Sequence, residues 1–182
     1  MFSVQPAINP AGTLSYTPAA NANGSALVTV TLSDNGSGVS PNVNTSAAQT
    51  FIINISPIND APAFTKGANE SVAENSPAQS VAGWASGISD GDPELTQTLT
   101  FTVTNDNNPL FTVQPSINAA GTLSYTPATD AIGSALVTVT LSDNGSGVAP
   151  NVNTSAAQTF TISINSINNA PVFTKGADQN VN

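Results

Sequence analysis

Eleven carboxylates and two lysines carry all the side-chain charge of this 182-residue chain, which has no histidine and a formal net charge of −9 at pH 7. Oxygen is therefore the ligand atom it offers. Carboxylate, amide and backbone carbonyl oxygens suit a hard divalent cation such as calcium, which takes about six to eight of them. The same acids also serve solubility, and composition alone leaves both readings open. With neither His nor Cys, the usual zinc sites, disulfides and every His-based catalytic triad are excluded. Two lysines cannot provide the clustered positive charge that a nucleic acid requires, so we expect no nucleic-acid partner. The acids stand in loops suited to a cation more than to a proton relay, and we expect no enzyme.

Those loops are punctuated by turn formers: Asp90-Gly91-Asp92-Pro93, Asn107-Asn108-Pro109 and Asp143-Asn144-Gly145. Turn chemistry offers its own account of the acids. Asp90 can cap a turn, Asp143 can start one, and Asp60 favours the backbone of a linker that runs into Pro62. Asn35-Gly36-Ser37-Gly38 and Asn144-Gly145-Ser146-Gly147 are glycine-rich, but no Lys-Ser/Thr and no helix follow, so they do not read as phosphate loops.

The elements that hold these loops read as strands. Leu99, Phe101 and Val103 alternate with Thr98, Thr100 and Thr102; Val137, Val139 and Leu141 alternate with Thr138 and Thr140; Phe160, Ile162 and Ile164 alternate with Thr159, Thr161 and Ser163. Such period-2 segments belong to antiparallel sheets with one wet face. Shorter strands are predicted at Ala63-Phe64-Thr65, Ser80-Val81-Ala82, Phe111-Thr112-Val113 and Thr122-Leu123-Ser124-Tyr125. No segment has helical periodicity, and no apolar run approaches the length of about 20 residues that a membrane-spanning helix needs. Trp84, Tyr16 and Tyr125 are expected in the core; a sugar-stacking role for Trp84 is the alternative.

The chain repeats itself. Shifted by 109 positions, residues 2–73 fall on 111–182 without a gap, and 55 of the 72 pairs are identical. A unit of this size folds its own core, unlike the short repeats of a solenoid. We expect residues 1–59 to be the closing part of one repeat, 60–168 a complete one, and 169–182 the first strand of a third. Met1 stands in the place of Leu110. The first segment lacks its opening strands, so it should expose sheet edges and an apolar face, and pair with another copy, swap strands or order poorly.

In order and spacing the complete unit resembles a cadherin domain and its bacterial cadherin-like relatives, with an all-β, immunoglobulin-like seven-stranded Greek-key sandwich. Asn59-Asp60-Ala61-Pro62 is similar to the linker between cadherin repeats, Ala73-Glu74-Asn75 to the calcium-binding Glu after the first strand, and Asp90-Gly91-Asp92 to the Asp-x-Asp motif. Phe111-Thr112-Val113 through Gly121-Thr122-Leu123 and 137–143, ending in Asp143, resemble later strands. The resemblance implies calcium ligands at Asn59, Asp60, Asp90, Asp92 and Asp143, gathered at one pole beside the linker, with Glu94 as an optional addition. Glu74 would serve the opposite pole, facing Asn168-Asn169. Thr126-Pro127-Ala128-Thr129-Asp130 replaces the family's Asp-Arg-Glu motif, and Asn169 replaces Asp60 in the second linker. The implied function is a structural spacer or stalk in a large secreted or cell-surface bacterial protein such as an adhesin, with neighbouring repeats as partners. The alternatives are a glycan- or protein-binding sandwich and an accessory domain of a secreted hydrolase.

Overall fold

The computed structural model describes residues 1–168 and 170–181. Asn169, the counterpart of Asp60, and Asn182, the last residue of the repeat match, lie outside the described residues. The chain is all-β, with thirteen strands, one 3-10 turn and no α-helix among the described residues. None of those residues forms a helix long and apolar enough to cross a membrane. Two compact units emerge: Met1–Ala61 with Gly91–Gln97 and Asn144–Asn153, and Pro62–Asp90 with Thr98–Asp143 and Thr154–Asn182.

The second unit holds nine strands: β5 (Ala63–Thr65), β6 (Glu70–Ala73), β7 (Gln79–Val81), β8 (Ser86–Ser89), β9 (Thr100–Asn105), β10 (Phe111–Ile117), β11 (Leu123–Pro127), β12 (Gly133–Ser142) and β13 (Gln158–Asn165). They pair as a four-stranded sheet β6-β13-β12-β9, a three-stranded sheet β10-β11-β7, and the pair β5-β8. β6 runs parallel to β13, whereas the other pairings are antiparallel. Ala135, Val137, Val139 and Leu141 of β12 and Phe160, Ile162 and Ile164 of β13 bury their side chains in one cluster with Leu123 and Tyr125 of β11. Two sheets thus share one apolar core, consistent with a β-sandwich. The intervening threonines remain on the wet side, as the alternation requires.

Seven strands were expected in this unit, and β6 and β8 are the additions. The polar Glu70-Ser71-Val72-Ala73 has no strong strand pattern; it becomes a strand by laying its edge along β13. β8 contains Gly87 at φ +57° and pairs with β5 through an irregular register. Gly121 also meets a strict demand. Its φ is +78°, and a Cβ there would run into the Ala85 carbonyl oxygen.

The first unit contains β1 (Phe2–Ile8), β2 (Leu14–Pro18), β3 (Gly24–Val30) and β4 (Gln49–Ile55), paired as β1-β2 and β3-β4. Each hairpin repeats the register of its counterpart. Phe2 faces Pro18 as Phe111 faces Pro127, and Val28 faces Phe51 as Val137 faces Phe160. The expected open edges and apolar face are present. Ile53 is the one buried apolar side chain of this unit among the described residues. Tyr16, expected in the core, is 41% exposed, whereas Tyr125 is 1% exposed. The difference follows the neighbours: β11 is flanked by β7, whereas among the described residues β2 pairs only with β1.

Candidate metal centre

The first unit gathers Asn59, Asp60, Asp92, Glu94 and Gln97 around the linker. Asn59 is buried and satisfied on all sides. Its backbone N–H donates to Asn151 Oδ1 at 2.7 Å, and its Nδ2 donates to the Val152 carbonyl at 2.8 Å and the Ser146 carbonyl at 3.3 Å. Its own carbonyl accepts the Val152 N–H at 2.9 Å. Asn59 is therefore the clip between the linker and the 144–153 loop. The fit leaves no room beside it: a Cβ on Gly145 would collide with Asn59 Oδ1.

Asp92 is likewise buried. Its Oδ1 accepts the N–H groups of Glu94 at 2.9 Å and Leu95 at 3.3 Å, so it caps the turn that Pro93 initiates. Its Oδ2 accepts from Gln97 Nε2 at 2.9 Å, and the same Nε2 donates to Asn59 Oδ1. Gln97 thereby joins an oxygen of the linker to an oxygen of the Asp90-Gly91-Asp92 loop. The Glu94 N–H above all holds the Asp92 carboxyl below the usual carboxylate range. Glu94 moves the other way, raised first by the Asp92 carboxyl beside it, then by burial and by the charges of Asp92 and Asp60. Glu94 Oε2 is buried without a hydrogen-bond partner. Asp60 and Glu94 line one cavity of about 270 Å³ together with Pro18, Asn21 and Ile58.

The remaining expected ligands fall in the second unit. Asp90 follows β8 and is half-buried; Asp143 follows β12 and is buried. Glu74, just after β6, has a role within its own unit: its Oε1 accepts the Ile167 N–H at 2.8 Å, and its N–H donates to the Asn165 carbonyl at 2.7 Å. It ties the end of β6 to the end of β13. Among the described residues, no group of three or more His, Cys, Asp or Glu side chains is placed to hold a metal ion. The chemistry available is a carboxyl pair, Asp92 and Glu94, backed by amide oxygens. Such a pair shares a proton or binds a cation.

Sequence reasoning missed Gln97 and Asn151, which lie outside every quoted motif. It also missed the mutual clasp of Asn75 and Asp130, where Asn75 Nδ2 donates to Asp130 Oδ1 and the Asp130 N–H donates to Asn75 Oδ1, both at 2.9 Å. Both residues have φ near +60°, which Asn and Asp tolerate best after Gly. Trp84 is a core residue: 4% exposed, 4.2 Å from the Phe160 ring, with Nε1 donating to the Ala68 carbonyl at 2.9 Å. A scan of protein-family models and a search of curated proteins both find no match to this chain.

Proposed function

We propose that this chain is a non-catalytic spacer segment from a tandem array of immunoglobulin-like, cadherin-like repeats in a large exported bacterial surface protein, with calcium stiffening the linkers. The observation that carries this reading is the duplication: 55 of 72 aligned residues recur, and both copies build the same two hairpins in the same registers. A module that repeats with so little change adds length more readily than it adds new recognition. The strand order supports the finer fold reading. β9, β12 and β13 form one sheet and β7, β11 and β10 another, as strands C-F-G and B-E-D do in the immunoglobulin-like sandwich. The burial of Trp84 disfavours the glycan-binding alternative, since it removes the one indole from the surface.

The support for calcium is the Asp92–Glu94 pair. Two adjacent carboxyls repel when both ionise, and a divalent cation relieves that cost. Glu94 Oε2, buried and without a hydrogen bond, is the oxygen such an ion would take first. Asp60 lines the same cavity as Glu94. Amide and carbonyl oxygens and water complete the shell in this reading, because calcium does not require three carboxylates. Asp90 and Asp143 keep their places as candidate ligands by sequence position, one two residues before Asp92 and the other two before Gly145. Glu74 is assigned to the following linker, with one oxygen already engaged.

Calorimetry of the whole chain, stripped with chelator and titrated with calcium chloride, tests the ion. A saturable binding heat that disappears in Asp92→Asn is expected. Solution scattering with and without chelator tests the stiffening, and a shorter maximum dimension after chelation is expected. No heat and unchanged scattering would remove calcium from the proposal.

A further inference from the structure

The loops at 91–97 and 144–153 group with the linker, not with the strands from which they emerge, and Asn59 stands where they meet it. Asn59 is 7% exposed, so water cannot serve its polar groups, and protein atoms take every one of them. Its main-chain N–H and carbonyl are held by Asn151 Oδ1 and the Val152 N–H. Its side-chain Nδ2 faces two acceptors, the carbonyls of Val152 and Ser146, and its Oδ1 faces a donor, Gln97 Nε2. The surroundings therefore distinguish the two ends of one amide. A carboxylate of the same shape would set an oxygen against two carbonyl oxygens, with no proton between them. Packing at Oδ1 is equally demanding: a Cβ on Gly145 would collide with it, which leaves no room for the extra methylene of a glutamine. The same residues recur in the repeat match. Asn168 falls on Asn59, and Asn42, Gly36, Ser37 and Val43 fall on Asn151, Gly145, Ser146 and Val152.

We propose that these two loops form an asparagine-reading slot, with Asn59 as its key, that fastens the linker without a metal ion. The linker is gripped twice. The backbone pair, Asn59 N–H to Asn151 and Val152 N–H to the Asn59 carbonyl, sets position, and any residue other than proline could make it. The side chain sets identity, because only an uncharged amide of this length offers an NH2 to two carbonyls and an oxygen to Gln97. The inference stands apart from the calcium reading, and one substitution separates them. A carboxylate in place of the Asn59 amide strengthens a cation site and breaks the slot.

The test is amide hydrogen exchange on the whole chain in chelator, read at the Val152 N–H, which donates to the Asn59 carbonyl. Wild type should protect this amide. Asn59→Ala should speed its exchange about tenfold, and Asn59→Asp, although isosteric, should speed it about a hundredfold. Gln97→Ala, a change on the slot side, should give a smaller rise of about fivefold. The amides of β12–β13 are the control and should keep their rates. Equal acceleration there overturns a local lock. An Asn59→Asp chain that protects Val152 as well as wild type does overturns the reading of the amide. Protection that appears only when calcium is added overturns the metal-free lock and leaves the calcium reading standing. A protected Val152 together with no calorimetric heat supports the lock and removes calcium.

Discussion

The duplication provides an internal control for core energetics, and leucines 32 and 141 use it best. Each follows Val-Thr-Val-Thr and precedes Ser-Asp-Asn-Gly, so their local sequences do not differ. Their surroundings do. Leu141 is fully buried opposite Phe101, whereas Leu32 is 77% exposed. Truncating a fully buried leucine to alanine removes its transfer energy and leaves a cavity, at a cost of about 2–5 kcal/mol. Leu32 has about a quarter of its surface covered, so its share of the roughly 1.5–3 kcal/mol for full burial is about 0.5 kcal/mol. Leu141→Ala should therefore destabilise the second unit by several times what Leu32→Ala costs the first.

Trp84, the only tryptophan, sits in the second unit's core and reports its urea transition by fluorescence. With a denaturant slope of about 1–3 kcal/mol per molar urea, Leu141→Ala should lower that midpoint by roughly 1–3 M. Amide exchange in β3–β4 and in β12–β13 then compares both variants hairpin by hairpin. Equal losses from the two substitutions would refute the reasoning, because they would mean that β3 is as well covered in solution as β12.

Two further outcomes follow from ionisable groups. Glu94, raised above 4.5 in the folded chain, contributes stability below its unfolded value that is lost as pH rises through the folded one; Asp92, held below 3.8, contributes stability above its unfolded value that is lost as pH falls through the folded one. Glu94→Gln should thus gain on wild type as pH rises past the folded Glu94 value, and urea midpoints that stay parallel between acid and neutral pH would contradict this. In a carbon-13 titration, excess calcium should move the Glu94 midpoint downward. Tyr125, raised from 10.0 to about 12 by burial and then by the charge of Glu70, contributes stability below pH 10 that is lost as pH rises towards 12. Tyr125→Phe should abolish that alkaline loss. Because the hydroxyl is buried without a hydrogen-bond partner, the change should also be neutral or stabilising at pH 7, by up to about 1 kcal/mol; a loss in thermal unfolding would refute it.

The strands that sequence revealed are those whose own residues decide the matter. Thr and Val alternating through 137–141, and Thr with Phe and Ile through 159–164, leave one geometry that puts every apolar side chain on one face. β6 and β8 were not legible because their pairing comes from β13 and β5, far away in the chain. Tyr16 was misread for the same reason: its hairpin matches that of Tyr125, but its burial depends on a strand that is not beside it. At the acidic cluster, Asn59, Asp60 and Asp92 were visible as motif residues. Gln97 was not, since a lone Gln in a Thr-rich run has no spacing signal, although it is the side chain that joins Asn59 to Asp92.

The two copies separate what local sequence controls from what tertiary partners control. Hairpin register is local: β3-β4 keeps the pairing of β12-β13 although their surroundings differ. Strand length is not. β3 ends at Val30, where its pairing with β4 ends, while β12 continues to Ser142 along β9. The segment after Val30 has the sequence of a strand and lacks only the partner. The repeat match adds a second variable. It pairs Asp60 with Asn169, so the two copies differ by one charge at that position. If calcium binds at Asp60, Asp60→Asn should weaken its affinity, and calorimetry with calcium chloride that shows no difference would contradict this.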